Sequence, residues 1–430
     1  MTTPRALGHD PVGSQRPVRA LAPVSVSAPS PASSTVPAPA PLRSRIAAVA
    51  TYLPDTTRSA DETEELLSRL NPELRLPTGL VRRLTGVERV HLRPDGWQTS
   101  DLAVAAARTA LERSPGPIDL LLFASASQDM IEPATSHIVS AKLGLDCPVM
   151  DVKNACNSVL NALQVGDALI MSGQYRRVLI ASGEQPSHAV RWQLADQAQF
   201  LRSFAGYTMS DAGAALILER TDDTTPDATT NRSRTDDSGP DAATRAPAPT
   251  VPLARPRVTG AAHDPASPEP ESKPEPHPAP PAAGILGSRF VAHSTHWNVG
   301  TLPTGGSVNP HAEGGSYFDM DGAALQQAFS EVGVGLVEQT VADLGYAVPD
   351  LDFVAVHQVA LRYHETIVRV LGVDPGRTVV TIADHGNLAS VSLPRQLELA
   401  LERGIVGPGS LIAMVGLAGG ISLGAMVVRL

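Results

Sequence analysis

The stretch IDLLLFASAS, residues 118–127, is an Asp followed by a continuous apolar run, which is typical of a strand buried on both faces of a sheet. An Ala-rich segment, LAVAAARTALERS (102–114), precedes it and predicts a helix. The same order returns later, where one helical segment over 323–345 leads to LDFVAVHQVA (351–360). Helices alternating with buried strands, used twice, predict an α/β fold built from two βαβαβ-type halves.

The two halves continue in parallel after these strands. Each then has a strand, a turn and a helix, and each closes with an apolar strand. The turn is KNAC (153–156) in the first half and ADHGN (383–387) in the second, where the strand before it is RTVVTI (377–382). Because these turns occupy matching positions of a repeat, we expect them to meet at the ends of equivalent strands across a pseudo-twofold axis.

Proline is concentrated in two segments that separate the halves from each other and from the start of the chain. Of the 38 prolines, 23 lie in residues 1–43 and 221–284. Both segments have few large apolar residues, so they cannot bury enough surface to offset chain entropy and are predicted to be disordered. The predicted organisation is therefore a tail, an N-terminal half at 44–220, an insertion and a C-terminal half at 285–430.

Charge and cysteine content exclude several classes of protein. A net charge of −10 and a pI of about 5.6 argue against a nucleic-acid binder. Only Cys147 and Cys156 are present, without metal-ligand spacing, which predicts a reducing, cytoplasmic location. The uncharged stretch 404–428 is broken by Pro408 and several glycines, so it favours two buried strands and a Gly-rich turn over a membrane helix.

Three residues at strand-to-helix junctions are candidates for chemistry. Cys156 opens a helix, whose positive end should lower the thiol pKa; the alternative is a buried structural cysteine, which we expect for Cys147. His357 ends a strand, and Asn387 is the last residue of HGN (385–387), in which a surface turn residue is one interpretation of His385. Alone, His357 would be a core histidine and Asn387 a helix cap, but their matching positions predict one converging site with Cys156.

A series of short motifs runs along the chain in a fixed order. They are TGVERV (85–90), SDLAVAAARTAL (100–111), DVKNACNS (151–158), SDAGAALIL (210–218), YFDMDGAAL (317–325), VHQVALR (356–362), HGNLASVSLP (385–394) and GLAGGISLGAMVVRL (416–430). In this order, from about Ile46 onward, the chain resembles ketoacyl-ACP synthase III, an initiating condensing enzyme of the thiolase-like superfamily. The resemblance implies a layered αβαβα subunit, a homodimer and an acyltransferase of fatty acid or polyketide biosynthesis.

The resemblance also implies a two-stage reaction. An acyl-CoA or acyl-ACP would acylate Cys156, and His357 and Asn387 would then help malonyl-ACP to lose CO2, so that its carbanion attacks the acyl-enzyme and gives a 3-oxoacyl-ACP. The oxyanion hole would combine the backbone N–H groups of Cys156 and Gly419. Arg362, with Arg369 on the same helix face, would meet the acidic acyl carrier protein. No metal or cofactor is implied beyond these thioester substrates.

Three motifs depart from the family pattern, and one of them is TGVERV, where Glu88 stands at a position that in the family often holds an arginine contacting the CoA nucleotide. The usual Cys-small-Gly-Phe is Cys156–Val159 (CNSV) here, and the usual HQAN is His357–Ala360 (HQVA). These changes favour a relative that works in secondary metabolism. Three alternatives to decarboxylating condensation stay open: acyl transfer to an alcohol or amine, which Asn387 argues against, head-to-head condensation of two acyl thioesters, and a non-catalytic subunit that only docks the carrier protein.

Overall fold

A computed structural model describes residues 43–221, 283–311 and 315–430. The predicted disorder of the tail and of the insertion lies outside these ranges. Three border residues of those segments, Arg43, Thr221 and Gly284, are described and lie in strands.

The helices and strands follow the alternation that the sequence predicts. The strands of the described ranges are β1 (Arg43–Tyr52), β2 (Thr57–Ser59), β3 (Arg89–His91), β4 (Leu120–Ala124), β5 (Val149–Val152), β6 (Arg177–Glu184), β7 (Ala212–Thr221), β8 (Gly284–Ala292), β9 (Gly300–Thr301), β10 (Asp319–Met320), β11 (Phe353–Val356), β12 (Leu411–Ala418) and β13 (Ser422–Arg429). The α-helices of the same ranges are α1 (Ala60–Leu70), α2 (Leu80–Thr85), α3 (Thr99–Arg113), α4 (Thr135–Leu143), α5 (Ser158–Met171), α6 (Gln197–Ser203), α7 (Gly322–Val332), α8 (Gly335–Asp343), α9 (Leu361–Val370), α10 (Ile382–His385) and α11 (Ser392–Glu402).

Two mixed sheets form the frame of the molecule. The first has the strand order β1-β7-β6-β4-β5 and the second β11-β12-β13-β8. Strand β4 is parallel to β5 and β6, and β11 is parallel to β12, while the remaining pairs within these two sheets are antiparallel. Helices α5 and α11 contact strands of both sheets, so they form a layer between them. Helix α3 packs on the first sheet and α8 on the second, which completes the predicted αβαβα arrangement.

The middle layer explains why α5 is apolar around most of its circumference. Its sequence SVLNALQVGDALIM buries residues toward both sheets, in one core cluster that also takes side chains from β4, β6, β12 and β13. A Cβ at Gly166 would lie 2.9 Å from Leu218 of β7, so the helix approaches the sheet closely there. The N-terminus of α5, where Cys156 lies, is thereby fixed between the two halves.

The predicted strand RTVVTI (377–382) is wrong. The segment runs from a 3₁₀ turn through extended chain into α10 and joins neither of the two large sheets. The backbone of this segment forms hydrogen bonds with the buried side chain of Gln358 instead. Gln358 Nε2 donates to Val379 O at 2.7 Å, and Oε1 accepts from Thr381 N at 2.8 Å and from Ile382 N at 3.0 Å. A side chain can thus satisfy the groups that a neighbouring strand would otherwise bind.

The helix predicted over 323–345 is also wrong as a single element. It is divided into α7 and α8 at Gly333, which has φ +69°. This positive φ is accessible to glycine without strain and interrupts the helix. The stretch 404–428, by contrast, contains the predicted pair of strands, β12 and β13, joined by a glycine turn. None of the described helices is long and apolar enough to cross a bilayer.

Candidate active site

Cys156 lies in a tight turn between β5 and α5. Asn154 N donates to Ser158 Oγ at 2.9 Å, and Ser158 Oγ donates to Ala155 O at 2.7 Å. Ala155 has φ +46°, a conformation that costs a non-glycine residue about 1 kcal/mol or more. The Ser158 hydroxyl therefore helps to hold a strained turn that places Cys156 at the N-terminal end of α5.

The expected lowering of the Cys156 pKa is wrong. Burial, together with a smaller contribution from the negative charge of Glu184, raises the pKa of the thiol to about 12. A helix N-terminus stabilises a charge by only about 0.3–1 kcal/mol at ordinary sites, which is less than a tenfold change in ionisation. Desolvation of the thiolate outweighs that effect here, so Cys156 is a protonated thiol at neutral pH in the free protein.

Glu184 is a residue that the sequence reasoning missed. It ends β6, is 1% exposed, and accepts hydrogen bonds from Ala126 N and Ser127 Oγ, both at 3.0 Å, and from Ser390 Oγ. Burial raises the pKa of this carboxyl. The signal in the sequence was a carboxyl group that closes the otherwise uncharged run VLIASGE of a buried strand.

Replacing Glu184 by glutamine should lower the pKa of Cys156. The amide keeps the size of the side chain and removes the negative charge that opposes ionisation of the thiol. The pH dependence of alkylation by iodoacetamide, with Cys147 changed to alanine in all proteins, measures this pKa. Glu219→Gln is a matched control, because Glu219 lies on the neighbouring strand β7 and pairs with Arg45 at 3.1 Å. An unchanged pKa in Glu184→Gln would contradict the electrostatic account.

His357 follows the buried strand β11 and is 1% exposed. Both ring nitrogens are buried and have no hydrogen-bond partner among the described residues. Burial lowers the pKa of the imidazole to about 4, so the ring is neutral at physiological pH. A neutral imidazole can donate a hydrogen bond to a bound ligand through one nitrogen and accept through the other. When no ligand is bound, the two buried and unpaired nitrogens cost free energy.

Asn387 lies in the turn between α10 and α11 and is 8% exposed. Its backbone is held by residues 208–210: Asn387 N donates to Thr208 O at 2.8 Å, and Ser210 N donates to Asn387 O at 3.0 Å. The side-chain Oδ1 accepts from Ala389 N at 2.9 Å. The carbonyl end of the amide is therefore bound within the turn, and Nδ2 is the end that can donate to a ligand.

His385 is not a surface turn residue. Its Nδ1 lies 3.0 Å from Nε2 of His91, and Nδ1 of His91 lies 2.7 Å from Pro54 O. Because a carbonyl oxygen only accepts, His91 carries its proton on Nδ1 and its Nε2 accepts from His385. Burial lowers the pKa of both rings, that of His385 to about 4. This neutral pair packs beneath the turn that carries Asn387.

The structure brings the turns of Cys156 and His357 to the same strand. His357 N donates to Val415 O at 2.9 Å, which places His357 beside β12 just where Gly416 follows. A Cβ at Gly416 would collide with Oδ1 of Asn157, the residue after Cys156. Gly416 thus lies between the two turns, and its missing side chain allows them to approach each other.

The turn of Asn387 reaches Cys156 through Glu184. Ser390, three residues after Asn387, donates to Glu184 and lies 2.8 Å from Ser182 Oγ. The negative charge of Glu184 in turn contributes to the raised pKa of the Cys156 thiol. The three residues that the sequence singled out therefore lie at neighbouring turns, with a buried carboxyl group between two of them.

The other predicted residues lie outside these three turns. Gly419 is partly exposed in the turn between β12 and β13. Asn157 donates a hydrogen bond to Ser422, the residue that follows this turn. Arg362 is exposed in the first turn of α9, and Arg369 is exposed two turns later on the same helix. Cys147 is partly buried and packs against the core between α3 and the first sheet.

Two family models match parts of this chain. A family model described as "3-Oxoacyl-[acyl-carrier-protein (ACP)] synthase III" matches residues 150–236. A second model, which describes the C-terminal part of the same family, matches residues 341–430. A beta-ketoacyl-ACP synthase III of Dinoroseobacter shibae is 27% identical over 391 residues, which cover 90% of this chain and 99% of the relative. The chain is a ketoacyl-ACP synthase III-like enzyme. It is therefore a transferase of the acyltransferase-type condensing class.

Solved structures place this synthase III-like enzyme in the thiolase fold. The 3-oxoacyl-ACP synthase III of Aquifex aeolicus superposes with a TM-score of 0.67 at 19% identity and covers 90% of this chain and 100% of its own. A cysteine-to-serine variant of OleA from Xanthomonas campestris, with bound lauric acid and lauroyl-CoA, has a TM-score of 0.67 at 22% identity and covers 90% and 99%. The predicted layered fold is confirmed.

Proposed function

We propose that the chain is a 3-oxoacyl-ACP synthase that carries its acyl group on Cys156 and condenses it with malonyl-ACP by decarboxylation. The observation that carries the proposal is His357, a neutral and buried imidazole whose two ring nitrogens are unpaired beside the turn of Cys156. A neutral imidazole can hydrogen-bond the oxygen of an enolate without forming an ion pair that would trap it. Asn387 adds a second neutral donor through Nδ2.

In the loading step, the thiol sulfur of Cys156 attacks the carbonyl carbon of an acyl thioester. The tetrahedral oxyanion would accept hydrogen bonds from the N–H groups of Cys156 and Gly419. When it collapses, the bond to the departing thiol breaks. Because Cys156 is protonated at neutral pH, its proton leaves with that thiol, so one thioester is exchanged for another at little change in free energy.

In the condensation step, malonyl-ACP loses CO2, and the electron pair of the broken C–C bond passes into an enolate. His357 and Asn387 donate to the enolate oxygen, and the α-carbon attacks the acyl group on Cys156. The C–S bond of the acyl-enzyme breaks, the sulfur regains a proton, and a 3-oxoacyl-ACP is released. The residues need not titrate during decarboxylation, which suits an imidazole whose pKa is about 4.

The acyl donor and the carrier define the substrates of this proposal. Acyl-CoA is the first donor to test, because the OleA variant of similar fold holds lauroyl-CoA. Arg362 and Arg369 are exposed cations on α9 that would meet the acidic carrier protein. The changed residues Asn157 and Val159 beside the nucleophile favour a secondary-metabolic, polyketide-type substrate, and we place the reaction in the cytoplasm.

The proposal is tested by following products as well as the enzyme. The protein is incubated with a panel of acyl-CoAs and acyl-ACPs, its mass is measured, and labelled malonyl-ACP is then added. We expect one acyl group per chain, followed by one CO2 for each 3-oxoacyl-ACP. Discharge of the acyl group without CO2 would contradict the proposal and favour transfer to an alcohol or amine, or head-to-head condensation.

We further propose that the enzyme is a homodimer that pairs through β5. This strand is the edge of the first sheet, and an edge presents backbone groups that a second copy can bind. Exposed apolar side chains lie on this strand and in the loop between β4 and α4: Met150 on β5 is 41% exposed, and Met130 and Ile131 in that loop are 49% and 60% exposed. Asp151 joins that loop to β5 by accepting from Thr135 N at 3.0 Å.

Changing Met150 to lysine should convert the dimer into monomers, because a charge on a strand edge opposes pairing with another edge. Light scattering coupled to size exclusion measures the mass. Met171→Lys is the control, since Met171 is a similarly exposed methionine at the C-terminal end of α5. A monomeric wild-type protein, or a Met150→Lys protein that stays dimeric, would contradict pairing through β5.

A further inference from the structure

Asn157 directly follows Cys156, and its side chain links the two halves of the fold. It is fully buried, and its Nδ2 donates to Ser422 O at 3.1 Å and to Ser422 Oγ at 3.2 Å. Ser422 is the first residue of β13 and comes directly after the turn that contains Gly419. The amide thus joins the turn of the nucleophile to the turn of the other proposed oxyanion donor.

A second amide reaches the same serine from the other side of Cys156. Asn154 Nδ2 donates to Ser422 Oγ at 3.2 Å and to Asn161 Oδ1 at 2.7 Å. Residues two before and one after the nucleophile therefore converge on one residue of the C-terminal hairpin. Such a pair of contacts restrains the turn of Cys156 against rotation as well as displacement.

The hairpin is shaped for the Asn157 side chain. Its Oδ1 occupies the space where Gly416 would carry a Cβ, so only glycine fits at that position of β12. The same Oδ1 is buried without a hydrogen-bond partner among the described residues. A buried, unpaired carbonyl group costs about 1–3 kcal/mol. Alanine at position 157 would avoid that cost. We therefore infer that the site requires the hydrogen-bond donor of the amide, Nδ2.

We propose that Asn157 is a positioning residue that fixes the separation between the backbone N–H groups of Cys156 and Gly419, and so sets the rate of acyl loading. This inference rests on the proposed function. The two N–H groups belong to separate halves of the fold, and both must point at one oxygen at about 2.7–3.1 Å to stabilise it. Hydrogen bonds from Asn157 to Ser422 join the two halves next to both N–H groups. A small displacement of one half relative to the other would misalign the N–H group of Cys156 or that of Gly419.

The test compares two reactions of the same sulfur. Asn157→Ala should slow acylation of Cys156 by an acyl-CoA about 10- to 100-fold, which is less than the effect of losing one oxyanion donor outright. Alkylation by iodoacetamide has no oxyanion, so its rate should stay within about twofold of wild type. Asn157→Ser is a second variant with the same expectation, because its short hydroxyl group cannot span to Ser422.

Two further variants separate positioning from general damage. Ser422→Ala removes the two hydrogen bonds that Asn154 and Asn157 donate to Ser422 Oγ and keeps the one from Asn157 to Ser422 O, so its loading rate should fall between those of the wild type and Asn157→Ala. Gln164→Ala, an exposed position on α5, should behave as wild type. All proteins carry Cys147→Ala, and their melting temperatures are compared so that a variant that fails to fold is set aside in favour of Asn157→Ser.

Each outcome decides between the two proposals. If the wild-type protein is not acylated by any thioester, the proposed function fails, and this inference fails with it. If the wild type is acylated and both Asn157 variants load at the same rate, only the positioning role is overturned. A parallel loss of acylation and alkylation would also overturn it, because that pattern indicates general disruption of the turn.

Discussion

Changing Cys156 to alanine is expected to abolish acyl-enzyme formation completely. Covalent loading needs a nucleophile that can both form and release a thioester, and alanine offers none. Condensation should fall with it, by at least about 10³-fold, since malonyl-ACP then has no bound acyl group to attack. Intact mass after incubation with the acyl donor, together with product analysis, measures both losses.

Cys147→Ala is the matched control for this change. Cys147 is partly buried in the core beside α3, and burial raises the pKa of its thiol. We expect the Cys147 variant to accept one acyl group as the wild type does, with the group mapped to the peptide that contains Cys156. Acylation of Cys156→Ala at the wild-type rate would show that the nucleophile is elsewhere.

Changing His357 or Asn387 to alanine should block condensation and leave loading intact. Both residues are proposed to donate to the enolate oxygen, which exists only after Cys156 has been acylated. Removal of one such donor costs about 10²–10³-fold in rate. The double variant should be little worse than either single one, because the two donors act on one oxygen. Mass of the acyl-enzyme and release of labelled CO2 are measured in parallel.

A general-base role for His357 would give a different pattern. Loading of Cys156 would then collapse in His357→Ala, while Asn387→Ala would stay near normal. The low pKa of His357 argues against that role, since a base with a pKa of about 4 removes protons poorly at neutral pH. Wild-type condensation in Asn387→Ala would make acyl transfer the leading account.

The sequence predicts the duplicated fold because both signals for it are local. Continuous apolar strands and Ala-rich helices are visible in the periodicity of each half, and the order of the motifs carries the resemblance. Cys156 and His357 follow strands β5 and β11 as predicted, whereas Asn387 follows helix α10, because 377–382 is not a strand. The sequence therefore predicts the backbone topology, and the residues that directly follow a predicted strand, better than it predicts side-chain contacts.

Apart from the helix interrupted at Gly333, the errors arose where side chains from distant positions act on a local segment. Gln358 replaces the partner strand of 377–382, which no periodicity reveals. The pKa of Cys156 depends on burial and on Glu184, which is 28 positions away along the printed sequence. Asn157 occupies the N-cap position of α5, but its side chain donates to Ser422 in the other half of the fold and does not cap the helix.

The central claim is that a thioester on Cys156 is the species that condenses with malonyl-ACP. The most direct measurement loads the wild-type protein with a labelled acyl group, removes free donor, adds malonyl-ACP and follows the Cys156 peptide by quenched mass spectrometry. The account predicts that the acyl label leaves Cys156 and appears in 3-oxoacyl-ACP at the same rate as CO2 is released. Label that remains on Cys156 while product and CO2 accumulate would contradict it.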